Sequence, residues 1–237
     1  MKLNRKFKVL SVGMLLVVSL ASSIGCSSNS NDKTYSEIDA AKTEELAGET
    51  KKTLVIDVRD ANAYAKGHLA NAISIPFDEF ERKISELDSY KDQTIILICN
   101  TGNKSGKAAQ MLVDNGFTKV YNATDGMEEH EYATVTYTNI TGSEFEKITD
   151  EKTDEVIIDL RDAKDYEKNH AENAINIQLD ELETKLSELK DKDQEIYLYC
   201  NTGTRTAEAS QILESKGYTK VFNSVDGTKE YDFSFTK

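Results

Sequence analysis

Two stretches of the chain end an apolar run on a cysteine and continue with small polar residues, one glycine and one cation. Ile95 to Cys99 leads into Asn100, Thr101, Gly102, Asn103, Lys104 and Ser105; Ile196 to Cys200 leads into Asn201, Thr202, Gly203, Thr204, Arg205 and Thr206. A strand that stops at a cysteine delivers the sulfur to the carboxyl edge of a sheet, where open α/β folds bind their ligands. Gly102 and Gly203 are free to take a positive φ, which lets the neighbouring backbone N–H groups curl toward one point. A helix starting at Lys104 and Ser105, or at Arg205 and Thr206, adds its unpaired N–H groups and the positive end of its dipole. An anion at the loop centre is thereby favoured. It is either the thiolate itself, whose pKa falls below about 8.5 beside cations and helix N-termini, or a sulfur species attached to it. The alternative for each copy is a small buried hydrophobe closing a strand, and recurrence in the same context weighs against it.

The loop, a cysteine, four residues, a cation and then Ser or Thr, resembles the six-residue active-site loop of the rhodanese sulfurtransferases. Its Cys-Asn-Thr-Gly start resembles the small phage-shock-type extracytoplasmic rhodaneses. Val55 to Arg59 and Gly67 to Ala72 agree with this resemblance, which covers nearly all of the chain after its leader, twice. The resemblance implies an α/β fold of two tandem rhodanese-like domains, each a small parallel sheet with helices on both faces. It makes Cys99 and Cys200 the catalytic residues and the six residues after each the substrate-binding loop, with no bound cofactor. Three features depart from the family pattern: Lys104 stands in place of Arg, Asp125-Gly126 and Asp226-Gly227 stand where Gly-Gly and Trp are frequent, and the chain has no Trp.

The elements that must position these loops follow from periodicity. Thr53 to Asp57 reads as a buried strand, Ala61 to Lys66 as a short helix, Ala72 to Ile75 as a second strand, and Asp78 to Leu87 has helical spacing through Phe80, Ile84 and Leu87. Thr94 to Ile98 is the strand before the cysteine. Ser105 to Asn115 is the helix after it, closed by Gly116 as a C-cap. Strands separated by helices argue for a parallel sheet covered on both faces. The pattern repeats: Asp57 and Arg59 match Asp159 and Arg161, and Gly67-His68 matches Asn169-His170, at a spacing of 102; Cys99 then matches Cys200 at 101. Residues 34–132 and 133–237 are therefore the two expected domains. No Pro/Gly-rich linker lies at the boundary near Ala133, so the domains are expected to sit close together.

Residues 1–25 read as a leader. Lys2, Arg5, Lys6 and Lys8 form a positive n-region, and Val9 to Leu20 an apolar stretch too short for a comfortable membrane span. Ser23 to Cys26 resembles a bacterial lipobox, with Ser23 where Leu is usual, which implies lipidation of Cys26 and an extracytoplasmic, membrane-anchored protein. Ordinary secretion after cleavage near Ala21 is the alternative. Residues 26–33 read as a flexible tether. The net charge of −13 becomes −17 once the four leader cations are removed. Such a surface repels nucleic acid and anionic headgroups, so membrane association should come from the lipid. Screening over about 8 Å at physiological salt leaves an anionic substrate to the local field of the loop.

Three cysteines leave one for lipidation and one for each loop. Equivalent loops of separate domains have no reason to approach within about 7 Å, so a Cys99–Cys200 disulfide is not expected. No Cys-x-x-Cys pair or His/Cys cluster suggests a metal. His68 and His170 occupy the same turn in both repeats and are expected to hydrogen-bond local backbone, as Asp57 with Arg59 and Asp159 with Arg161 are expected to form structural ion pairs. Asn169 suits a positive-φ position. A phosphate-cleaving loop has five residues between cysteine and arginine rather than four, which disfavours phosphatase chemistry. The implied chemistry is sulfur transfer from thiosulfate or a persulfide to a thiol, free or on a protein, or to cyanide, through a cysteine persulfide. A membrane-anchored binding or sulfur-sensing module with little turnover is the alternative. On the cation alone Cys200 ranks first, because Arg205 offers a planar fork of donors and Lys104 a point charge.

Overall fold

The computed structural model describes residues 34–49, 53–151, 155–186, 189 and 191–235. The expected leader, the lipidation site Cys26 and the whole of the expected tether lie outside the described residues. Among the described residues no helix is long and apolar enough to cross a membrane.

In the first repeat β1 (Ser36–Ile38), β2 (Thr53–Asp57), β3 (Ala72–Ser74), β4 (Thr94–Ile98) and β5 (Val120–Ala123) form a five-stranded sheet in the order β1-β5-β4-β2-β3. All pairings are parallel, with Asp57 opposite Ile98 and Leu97 opposite Asn122. The apolar runs are buried on both faces, and their period of two divides the core. Leu54, Ile56, Ile95, Leu97 and Cys99 face α3 (Phe77–Lys83), the 3-10 helix Ile84–Tyr90 and α4 (Asn103–Asp114). Val55, Ile96 and Ile98 face α1 (Ala40–Ala47) and α2 (Ala61–Ala65). The Cys99 side chain is thus committed to the α4 face of the central strand.

Three local features differ from the sequence reading. The helical stretch from Asp78 splits at Ile84 into an α and a 3-10 segment. The helix after Cys99 begins at Asn103, two residues early, because Gly102 at φ 76° turns the chain into the first turn at once. The short strands β1 and β5 had no separate apolar signal, since each mixes polar residues into a run of three or four.

The second repeat rebuilds the sheet as β6 (Thr138–Ile140), β7 (Val156–Asp159), β8 (Ile175–Asn176), β9 (Ile196–Tyr199) and β10 (Val221–Ser224), ordered β6-β10-β9-β7-β8. Its helices are α6 (Gly142–Glu151), α7 (Ala163–Tyr166), α8 (Leu182–Lys185) and α9 (Thr204–Ser215), α5 (Gly126–Glu129) belonging to the first repeat. The described structure is therefore two tandem α/β units within one compact body. Edge strands β3 and β6 lie side by side. His68 and Val135 exchange both backbone hydrogen bonds, and Asn139 Nδ2 donates to the carbonyls of Ala70 and Ala72.

Candidate active site

Each cysteine follows the central strand of its sheet and is buried, Cys99 at 3 % exposure and Cys200 at 1 %. Gly102 and Gly203 adopt φ of 76° and 70°, and each starts a twelve-residue helix, α4 or α9. A second backbone segment supports each loop from behind. Met127 N–H donates to the Cys99 carbonyl at 2.8 Å and Glu128 N–H to the Asn100 carbonyl at 3.0 Å; Thr228 and Lys229 repeat this at Cys200 and Asn201. So close an approach needs glycine: a Cβ on Gly126 would lie 2.2 Å from the Asn100 oxygen, and one on Gly227 2.0 Å from the Asn201 carbonyl carbon. The Asp-Gly dipeptides read in the sequence as departures from the family are thus the backing of the loops. Their one sequence signal is recurrence at the same distance after both cysteines.

The two sulfurs have different surroundings. Cys99 Sγ accepts from Ser105 N–H at 3.4 Å and lies 3.3 Å from Ser105 Oγ, which in turn lies 2.6 Å from Asn122 Oδ1 on β5. Burial pushes the Cys99 thiol up, but the Ser105 hydroxyl, the Ser105 N–H and the N–H groups of Thr101 and Lys104 outweigh it and hold the thiol below its usual value. Cys200 Sγ lies 4.0 Å from the Thr206 hydroxyl, which donates instead to the Gly203 carbonyl at 2.7 Å. Asn122 was not singled out from the sequence; its signal is a polar residue placed identically within two buried strands, Asn122 in β5 and Asn223 in β10.

The cations also differ from expectation. Arg205 Nη1 donates to the Leu160 carbonyl at 2.9 Å and to Asp162 Oδ1 at 3.0 Å. One arm of the fork on which Cys200 was ranked first, Nη1, is therefore engaged, while the Lys104 ammonium sits 5.9 Å from the centre of the Phe77 ring. Around the first loop the Asn100, Thr101, Asn103 and Lys104 side chains are exposed, whereas Asn201, Thr202 and Arg205 are half-buried and Thr204 exposed. Asn201 is held by Thr228 Oγ1 at 2.9 Å and reaches Asp165 at 3.4 Å.

The remaining sequence-derived residues are engaged in local bonds. Asp57, wholly buried at the end of β2, takes two hydrogen bonds from Arg59 Nε and one from Nη2, which also donates to the Gly67 carbonyl. Asp159 and Arg161 repeat this with the Asn169 carbonyl, and Tyr199 adds its hydroxyl to Asp159. Asn169 keeps a negative φ; the positive value belongs to Asn173 instead, at 62°. His68 and His170 bond the carbonyls of Tyr64 and Tyr166 through Nδ1 and stack on those rings. His68 is fully buried at the junction of the repeats, and burial lowers its pKa. Among the described residues no cluster of three or more His, Cys, Asp or Glu is arranged to hold a metal.

The rhodanese-like domain profile matches residues 39–132 and 141–232. The chain belongs to the rhodanese-like domain family. Similar proteins include the Bacillus subtilis protein YqhL, 34 % identical over 86 residues, covering 36 % of this chain and 67 % of YqhL. The tRNA uridine(34) hydroxylase of Photorhabdus laumondii is 34 % identical over 82 residues, covering 33 % of this chain and 23 % of that protein. A thiosulfate sulfurtransferase of Pseudomonas aeruginosa superposes with a TM-score of 0.38 at 18 % identity, over 85 % of this chain and 43 % of that one. YqhL apart, the rhodanese repeats span well under two thirds of the length of such curated relatives. Membership in the rhodanese family supports sulfur transfer at a coarse level.

Proposed function

We propose that the protein moves a sulfane sulfur from thiosulfate or a persulfide to a thiol acceptor, with Cys99 as the principal carrier. The observation that carries this reading is the Cys99 sulfur held at the sheet edge by loop N–H groups and the Ser105 hydroxyl. The Cys99 thiolate attacks the outer sulfur of thiosulfate. The bond to the sulfonate sulfur breaks, its electron pair leaves with sulfite, and a negatively charged persulfide remains on Cys99. An acceptor thiolate then attacks the terminal sulfur, and the Cys99 thiolate departs with the pair of the breaking S–S bond. Loop N–H groups stabilise charge on the outer sulfur as an oxyanion hole does on oxygen. The residues Asn100 to Ser105 need no cofactor for these steps.

The second repeat supports another reading, a sulfur-carrying or partner-binding module of low turnover. Thr206 is taken by the Gly203 carbonyl and Arg205 by Leu160 and Asp162. The Arg205–Asp162 pair is exposed, at 40 % and 63 %, and so contributes only about 0–1 kcal/mol. These two bonds occupy Nη1 alone and turn the guanidinium toward Leu160 and Asp162, so a sulfonate would have to be taken by Nε and Nη2 in that orientation. We further propose that Cys26 is lipidated and anchors an extracytoplasmic protein, and that the acidic surface keeps nucleic acid out of its partners.

Thiosulfate loading and discharge to cyanide or a thiol, followed for Cys99→Ser, Cys200→Ser and Lys104→Arg, tests the proposal. Cys99→Ser should remove most turnover and Cys200→Ser little. Turnover at the free-thiol background in the unmodified protein would leave the binding-module reading. Greater damage from Cys200→Ser would return the ranking to the loop cation.

A further inference from the structure

Ser105 Oγ stands between two acceptors, 3.3 Å from Cys99 Sγ and 2.6 Å from Asn122 Oδ1, but a serine hydroxyl carries one proton. All three residues are buried, at 3 % exposure for Cys99, 0 % for Ser105 and 4 % for Asn122. No water competes for that proton, so its position is decided by the charge on sulfur. With Cys99 protonated, the thiol can donate to Ser105 Oγ while the hydroxyl donates to Asn122. With Cys99 ionised, the hydroxyl is drawn to Sγ and the Asn122 oxygen loses its donor.

We infer that Ser105 and Asn122 form a switching pair in which Asn122 competes with the Cys99 sulfur for the Ser105 hydroxyl and so sets how readily Cys99 ionises. The inference rests on Cys99 acting as the nucleophile. When sulfur is loaded, the negative charge moves from Sγ to the outer sulfur and the hydroxyl returns to Asn122. When the outer sulfur is handed on, charge returns to Sγ as the leaving group, and the hydroxyl follows. Ser105 and Asn122 are positioning residues in this scheme, and no proton is exchanged with solvent through them.

The second repeat lacks the arrangement although it has a hydroxyl and a carboxamide at the same places. Thr206 Oγ1 bonds the Gly203 carbonyl, and Asn223 Nδ2 turns to Asn139 Oδ1 at 2.6 Å, leaving Asn223 Oδ1 with no partner. Asn139 belongs to β6, the edge strand that lies beside the first repeat, so packing of the repeats draws Asn223 away from the loop.

The test is the ionisation of each thiol, read from the 13Cβ chemical shift of cysteine-labelled protein titrated with pH and assigned with single-cysteine variants. Ser105→Ala should raise the Cys99 midpoint by about one pH unit, a tenfold loss of thiolate at neutral pH. Asn122→Ala should move it the opposite way, because the hydroxyl then has only sulfur to serve. The isosteric Asn122→Asp should raise it, since a carboxylate holds the hydroxyl and repels the thiolate; this variant decides the matter if Asn122→Ala does not fold. The Cys200 midpoint should stay put throughout. Shifts of Ser105→Ala and Asn122→Ala in the same direction, or no shift in Asn122→Asp, overturn the switching pair. This readout requires no turnover, so a protein that ionises as described but transfers no sulfur refutes the proposed function alone.

Discussion

The backing of the Cys99 loop by Gly126 allows a quantitative prediction. Gly126 has φ of 58°, and a Cβ there would lie 2.2 Å from the Asn100 oxygen and 2.6 Å from the Cys99 oxygen, separations no real Cβ adopts. Those oxygens are the acceptors of the Met127 and Glu128 N–H groups, so relief of the clash draws the two backbones apart along their own hydrogen bonds. The left-handed conformation costs an alanine about 1–2 kcal/mol, and losing two backbone hydrogen bonds at about 0.5–1.5 kcal/mol each brings the total for Gly126→Ala to roughly 2–5 kcal/mol. Gly116 supplies the control, because its φ is 91° but nothing lies within 4 Å of its Cβ position. Gly116→Ala should therefore cost only the conformational part, about 1–2 kcal/mol. Urea titration followed by far-ultraviolet circular dichroism reports the unfolding midpoint of each variant. Gly126→Ala should unfold at clearly lower urea than Gly116→Ala does. Equal midpoints for the two variants would refute the backing role of Gly126.

His68 gives a pH dependence. Its folded pKa is lowered by burial from the usual 6.5, so the stability it contributes is present above about 6.5 and lost as pH falls through the folded value; the urea midpoint of the wild type should drop more steeply below that pH than that of His68→Gln. Arg59→Met leaves the buried Asp57 carboxylate without its fork of donors and should cost about 3–5 kcal/mol in chemical denaturation, whereas the exposed pair of Lys42 and Glu45 should be nearly silent when removed. Cys26→Ser should shift the protein from the membrane fraction to the soluble or unprocessed pool, because stable anchoring needs more than one acyl chain; detergent-requiring association unchanged by the substitution would refute lipidation there.

Much of this protein is legible in its residues alone. The apolar runs at Thr53 to Asp57 and Thr94 to Ile98 must be buried on both faces, which dictates a parallel sheet under helices. A glycine three residues after each cysteine marks where the chain turns through positive φ into a helix. The recurrence of both features divided the chain into repeats without a linker signal. Short elements were less legible: β1, β5 and β6 are three or four residues long and owe their extension to neighbours in the sheet rather than to an apolar pattern of their own. The inequality of the two cysteines was decided by tertiary structure alone. Lys104 against Arg205 is visible in the sequence and points to Cys200, but a guanidinium binds whatever acceptors surround it, and here those are the Leu160 carbonyl and Asp162, more than forty residues away. Ser105 and Thr206 are near-equivalents as letters. Which of them serves its sulfur depends on the carboxamide across the sheet, and the packing of β6 against the first repeat turns Asn223 toward Asn139 while Asn122 remains with Ser105. Hydrogen-bond donors in a dry interior are few and each proton serves one acceptor, so their allocation is settled by the fold around them.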